Sequence, residues 1–246
     1  MILPNLARRA CIASATLTLG LSAIPLARAQ SAPAGSARLY RPGPPDDLIA
    51  AVIEAGASIQ QALWDLDEGY LDRFDPIRRE RLALMDPADG WLSPSTTLTA
   101  RGNQQAWARY TRLLDLFQRE IDVHSDYSQR LVTLALDPAI APSARQPFND
   151  YLSDYSVMFF QHRADATRTF VEFLFRLMKL LDWNYQESKA GRATLDGSQV
   201  RYGPDNEAKA QQMRDDIHHW SLEYTQIEQA IKAEPPRPSQ IRWRRS

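Results

Sequence analysis

The chain holds one cysteine among 246 residues, and ten glycines against sixteen prolines. A single cysteine excludes a disulfide framework, a four-cysteine zinc site and an iron–sulfur cluster. Scarce glycine argues against an α/β enzyme built on phosphate-cradling turns. No Gly-x-Gly-x-x-Gly, P-loop, Gly-x-Ser-x-Gly or His-Glu-x-x-His motif occurs, and no spacing proposes a Ser/His/Asp triad. A net charge of −1 lacks the basic excess of a general nucleic-acid binder. Strand-like alternation is absent throughout. Past the N-terminus, no apolar run is long enough to span a bilayer. The chain reads as non-enzymatic and all-α.

Residues 1–29 read as a secretory signal. Arg8 and Arg9 supply a positive start, Ala10 to Leu26 is apolar and small without an acid, and Ala27-Arg28-Ala29 offers a small-x-small cleavage site before Gln30. The adjacent arginines faintly suggest the twin-arginine route; the downstream pattern favours a plain Sec signal. Cys11 lies just after the arginines rather than at the cleavage site, which argues against lipidation. Cleavage leaves 217 residues without cysteine, so covalent c-type haem is excluded as well. The expected location is the periplasm or the cell exterior, and the mature charge is −4, from 26 basic and 30 acidic residues.

Gln30 to Pro45 is an Ala/Ser/Gly/Pro-rich leader. Four helical stretches follow within a single domain over 46–232. In the first, Ile49, Val52, Gly56, Ile59, Leu63, Leu66 and Tyr70 alternate three and four apart, the spacing of a heptad seam. Asp75-Pro76 is expected to break or kink that helix. The second carries Trp107, Tyr110, Leu114, Phe117, Ile121, His124, Ser128 and Leu131 in the same rhythm. The third runs from near Ser143 to about Ser188, with Phe148, Tyr155, Phe159, His162, Phe170, Leu174, Leu177 and Leu181 on its seam. Gly191 to Gly203 reads as a turn-rich loop. Pro204 suits the first position of a fourth helix, which Pro235, Pro236 and Pro238 terminate. Helices of roughly 30–45 residues are about 45–65 Å long. Their connections favour an antiparallel, up-down-up-down four-helix bundle with a coiled-coil-like supercoil.

The four histidines do not converge in that bundle. Folding helix two against helix three offsets His124 and His162 by about 9 Å along the axis. His124 and His162 sit on the seam, where a core histidine held by a neighbour such as Tyr155 or Asp165 is the ordinary case. Asp216, His219 and Glu223 share one helix face and are the metal candidates. Ile217, Trp220 and Tyr224 turn that face outward, however, and the chain has no Glu-x-x-His. No metal site and no cofactor is expected.

The third helix carries more apolar surface than one seam needs. Val171, Phe175 and Met178 form a second stripe beside Phe170, Leu174, Leu177 and Leu181. Either this helix is the most buried member, or the stripe is a contact face for another chain. The tail 233–246 adds Arg237, Arg242, Trp243, Arg244 and Arg245 to a body of net charge −7. Such an end is either a disordered, solubilising segment or a weak docking arm for anionic headgroups or an acidic partner. The expected function is protein–protein contact, as an accessory or scaffold component of a cell-envelope assembly. The partner would be another envelope protein or a second copy, met through Val171, Phe175, Met178, Arg242, Trp243 and Arg244. Alternatives are a metal- or haem-binding bundle, and a carrier of a hydrophobic small molecule in the aromatic core.

Overall fold

A computed structural model describes residues 57–138, 140 and 142–240. The signal, the leader, the seam positions Ile49, Val52 and Gly56, and the tail residues Arg242, Trp243 and Arg244 lie outside them. The fold is mostly helical, with one small sheet. Helix α1 spans Ala57–Leu84, the short α2 Pro94–Thr97, α3 Ala100–Ala135, α4 Pro142–Lys189 and α5 Pro204–Lys232. Strands β1 (Ala193–Asp196) and β2 (Gln199–Tyr202) pair antiparallel between α4 and α5. No helix among the described residues is long and apolar enough to cross a membrane.

Two expectations need revising. Of the break or kink expected at Asp75-Pro76, the break does not occur, because α1 runs through Pro76. Pro76 and Asp72, whose carbonyl loses its usual N–H partner, are both exposed, so that carbonyl is open to solvent instead of buried without a partner. Tyr70 and Ile77, each 5% exposed, hold the helix on either side. The loop 191–203 in turn contains a hairpin. Asp196 pairs with Gln199 around the two-residue turn Gly197-Ser198. Gly197 has φ +62° while Ser198 keeps an ordinary negative φ, the type II′ pattern that requires glycine first.

The chain forms two compact units, and α3, α4 and α5 each contribute residues to both. The first contains Leu84–Thr111 and Leu174–His218. At its start Ser93 caps α2 by accepting from the Thr96 N–H. Gly102 lies where a Cβ would run into the Thr96 carbonyl, so only glycine fits. The hairpin is held by Tyr202, which stacks on Trp183 at 5.2 Å and donates its hydroxyl to Asn184. Glu187 accepts from Arg192 and Asn206; Arg192 foremost holds its carboxyl below the usual range.

The second unit contains residues 57–83, Arg112–Phe173 and 219–240. Its core includes Ile59, Leu63, Leu113, Leu116, Tyr127, Leu131, Phe148, Leu152 and Phe159, each at most 2% exposed. Each such side chain contributes roughly 1.5–3 kcal/mol by leaving water. The core face of α3 is wider than one seam. Leu113, Leu116, Glu120, Val123 and Tyr127 are buried beside Tyr110, Phe117, His124 and Leu131, whereas Trp107, Leu114 and Ile121 are only half-buried. Contacts between elements run in opposite order along the chain: Asp67 with Tyr127, Tyr70 with His124 and Arg81 with Glu120 join α1 to α3. Phe117 with Phe170, Tyr127 with Phe159 and Ser128 with Ser156 join α3 to α4. The start of the tail is ordered rather than loose. Pro238 and Ser239 are buried, and Ser239 Oγ donates to Asp67.

Candidate functional site

Within the second unit, α1, α3, α4, α5 and the segment after α5 surround a cavity of about 320 Å³, open on one side. That volume is at the lower end of small-molecule sites. Six aromatic rings line it: Tyr70, Phe74, Phe117, Phe159, Phe170 and Tyr224. So do four arginines, Arg78, Arg81, Arg163 and Arg237, against two carboxylates, Asp75 and Glu120. The rings form two sets of three. Tyr70 stacks on Phe74 at 5.4 Å and meets Phe159 edge-on at 5.6 Å, and Phe170 touches Phe117 and Tyr224. Such geometries suit the ring quadrupole.

His124 belongs to the same cavity and is 3% exposed. Its Nδ1 shares a hydrogen bond of 3.2 Å with the Tyr70 hydroxyl. Burial, with the Arg163 and Arg81 charges added, lowers its pKa to about 3. The imidazole is therefore neutral at physiological pH. Burial pushes the Tyr70 phenol up to about 12 against the opposing pull of Arg163 and Arg237, so this hydroxyl also stays protonated. His124 is thus a satisfied core histidine, as its seam position suggests. Its partner is Tyr70 rather than Tyr155 or Asp165.

The arginines fall into two kinds. Arg81 Nε donates to the buried Glu120 at 2.6 Å. Arg163 donates to both oxygens of Glu234 and to the Phe159 carbonyl, and its guanidinium lies 3.7 Å from the Phe159 ring centroid. His162 joins the same carboxylate, with Nδ1 2.8 Å from Glu234. These two arginines are committed to the fold. Arg78 is 3.7 Å from Asp75, and Arg237 is 3.5 Å from Asp67. Among the described residues neither Arg78 nor Arg237 makes a side-chain hydrogen bond to the protein.

The sequence-derived candidates lie elsewhere. Met178 is 1% exposed and belongs to the core of its unit. Val171 and Phe175 are half-buried, and Lys179 and Arg176 approach the Phe175 ring at 5.2 and 6.0 Å. Asp216, His218 and His219 face solvent. His219 pairs with Glu223 at 3.2 Å as an exposed i,i+4 contact. Among the described residues no three His, Cys, Asp or Glu side chains come together as metal ligands would. Sequence reasoning missed Arg78, Arg81, Arg163, Asp67, Glu120 and Glu234, and read Arg237 only as part of the basic tail. The one available signal was an arginine repeatedly placed beside a seam position.

These features define a helical protein with a ring-lined, arginine-edged cavity. No protein-family model, curated protein or solved structure matches the chain.

Proposed function

We propose that the chain is an exported, non-enzymatic helical-bundle protein that works by binding, with this cavity as its binding site. The observation that carries the reading is the cavity itself, with six rings and four guanidiniums around a neutral, buried histidine. Convergence of apolar walls with a few polar groups is what small-molecule sites share. The residue pairs that run in opposite order along α1, α3 and α4, with Phe170 of α4 on Tyr224 of α5, support an antiparallel arrangement of these helices within the second unit. The arginine pair, apolar stretch and Ala27-Arg28-Ala29 support export to the periplasm.

The test fills the cavity. Ala166 lines it and is half-buried, and Ala166→Trp would occupy much of its volume. The mature wild-type protein is expected to bind a neutral apolar reporter such as N-phenyl-1-naphthylamine, and the folded Ala166→Trp variant to bind it at least tenfold more weakly. A wild type that binds no reporter and carries no small-molecule adduct in native mass spectrometry would refute the reading.

Contact with a second envelope protein is the other reading. The large apolar side chains left in solvent favour it, with Trp64 59% and Leu222 50% exposed. The burial of Met178 and the cations against Phe175 leave less of the second α4 stripe for a partner.

A further inference from the structure

We propose that the cavity takes a small organic carboxylate, one acid group on a single-ring or similarly compact apolar body. This rests on the reading of the cavity as a binding site and adds the class of ligand. The apolar half follows from the walls. Six rings line a volume of about 320 Å³, which suits a single ring. The acid half follows from an imbalance of hydrogen bonding. Each of the four guanidiniums has a carboxylate within 3.7 Å (Asp75 for Arg78, Glu120 for Arg81, Glu234 for Arg163 and Asp67 for Arg237), but only Arg81 and Arg163 donate hydrogen bonds to theirs. Glu120 is already engaged by Arg81, and Arg163 is engaged by Glu234.

Arg78 and Arg237 are what remain. Each lines the cavity, each has its nearest carboxylate at 3.5 Å or beyond, and each keeps its forked donors without a side-chain acceptor among the described residues. The Arg237 Nη1 atom is buried in that state. A guanidinium is the matched partner of a planar carboxylate, since two parallel N–H groups meet two oxygens. His124, which lines the cavity with Asp75, Thr167 and the tyrosines Tyr70 and Tyr224, is neutral and so adds no charge to repel or attract a ligand. The arrangement selects an anion through Arg78 and Arg237, with shape set by the rings. A neutral analogue of the same shape would fill the walls and leave those donors unmatched.

The test is titration calorimetry of the full mature chain with benzoate and phenylacetate against benzamide and phenylacetamide. The acids are expected to bind at least tenfold more tightly than the matched amides, and the gap to shrink as ionic strength rises. Arg237→Gln and Arg78→Gln should each narrow the gap to less than about threefold. Arg237 also touches the Asp67 network, so Arg78→Gln carries the test if Arg237→Gln does not fold. Amides that bind as tightly as acids would overturn the carboxylate assignment and leave the cavity reading standing. If acids, amides and the neutral reporter all fail to bind, the cavity reading itself falls, and this inference with it.

Discussion

His124 shows how one side chain reports the balance of burial and charge around it. Its ordinary value of 6.5 applies to the unfolded chain, while in the fold burial, Arg163 and Arg81 lower it to about 3. Tyr70 from α1 and Glu120 on its own helix face the same cavity. Between these two values the unfolded chain binds a proton that the folded chain refuses. Stability is therefore fully present above pH 6.5 and is lost as pH falls toward 3, by about 1.4 kcal/mol per unit. Urea denaturation at pH 7 and pH 5 should show a loss on the order of 2 kcal/mol that His124→Gln lacks. Equal losses in both proteins would mean that the imidazole is not held neutral. The position of His124 on the core face is legible in the heptad rhythm. Its partner is not, because the axial level of α1 against α3 depends on residues 85–99, which form a 3-10 turn and α2 before α3 begins. The arginines escape for a related reason. Arg78, Arg81 and Arg163 sit at the edges of apolar faces, where a long side chain can bury its stem and keep its head polar.

At the scale of elements, punctuation carries most of what the sequence discloses. Pro142-Ser143, Gly203-Pro204 and Pro235-Pro236 mark the ends of α4 and α5 to within a few residues, because a proline has no N–H to give a preceding turn. The hairpin is overlooked because its strands are four residues long and mostly exposed, so no alternation marks them. Gly197-Ser198 is nonetheless a recognised hairpin signal. Pro76 misleads in the other direction. Packing of Tyr70 and Ile77 outweighs the lost hydrogen bond, so the helix survives at a cost. Pro76→Ala should restore the bond to Asp72 and raise stability by about 1–3 kcal/mol, read as a higher urea midpoint with an unchanged slope. An unchanged or lower midpoint would mean that the surroundings of Pro76 depend on the proline ring.

For the molecule as a whole, the described part of the segment after α5 matters most. Residues through Gln240 are tied into the second unit: Glu234, with a 6% exposed side chain, accepts from Arg163, and Asp67 accepts from both Ser239 and Tyr127. Removing Glu234 and Ser239 leaves a half-buried guanidinium without its carboxylate and the buried Asp67 short of one donor. Orphaned buried charges typically cost about 3–5 kcal/mol each at full burial, less here because Arg163 reaches solvent. The last six residues, outside the described part of the chain, add three arginines and Trp243. Two truncations separate these parts. Ending the chain at Lys232 should lower the thermal midpoint by many degrees and abolish reporter binding, since Arg237 and the supports of Arg163 are lost together. Ending it at Gln240 should leave both unchanged and reduce only salt-sensitive association with anionic vesicles. If the shorter truncation lowers the midpoint as much as the longer one, the stabilising contacts lie beyond Gln240, and the Glu234 and Ser239 ties are not what hold the segment in place.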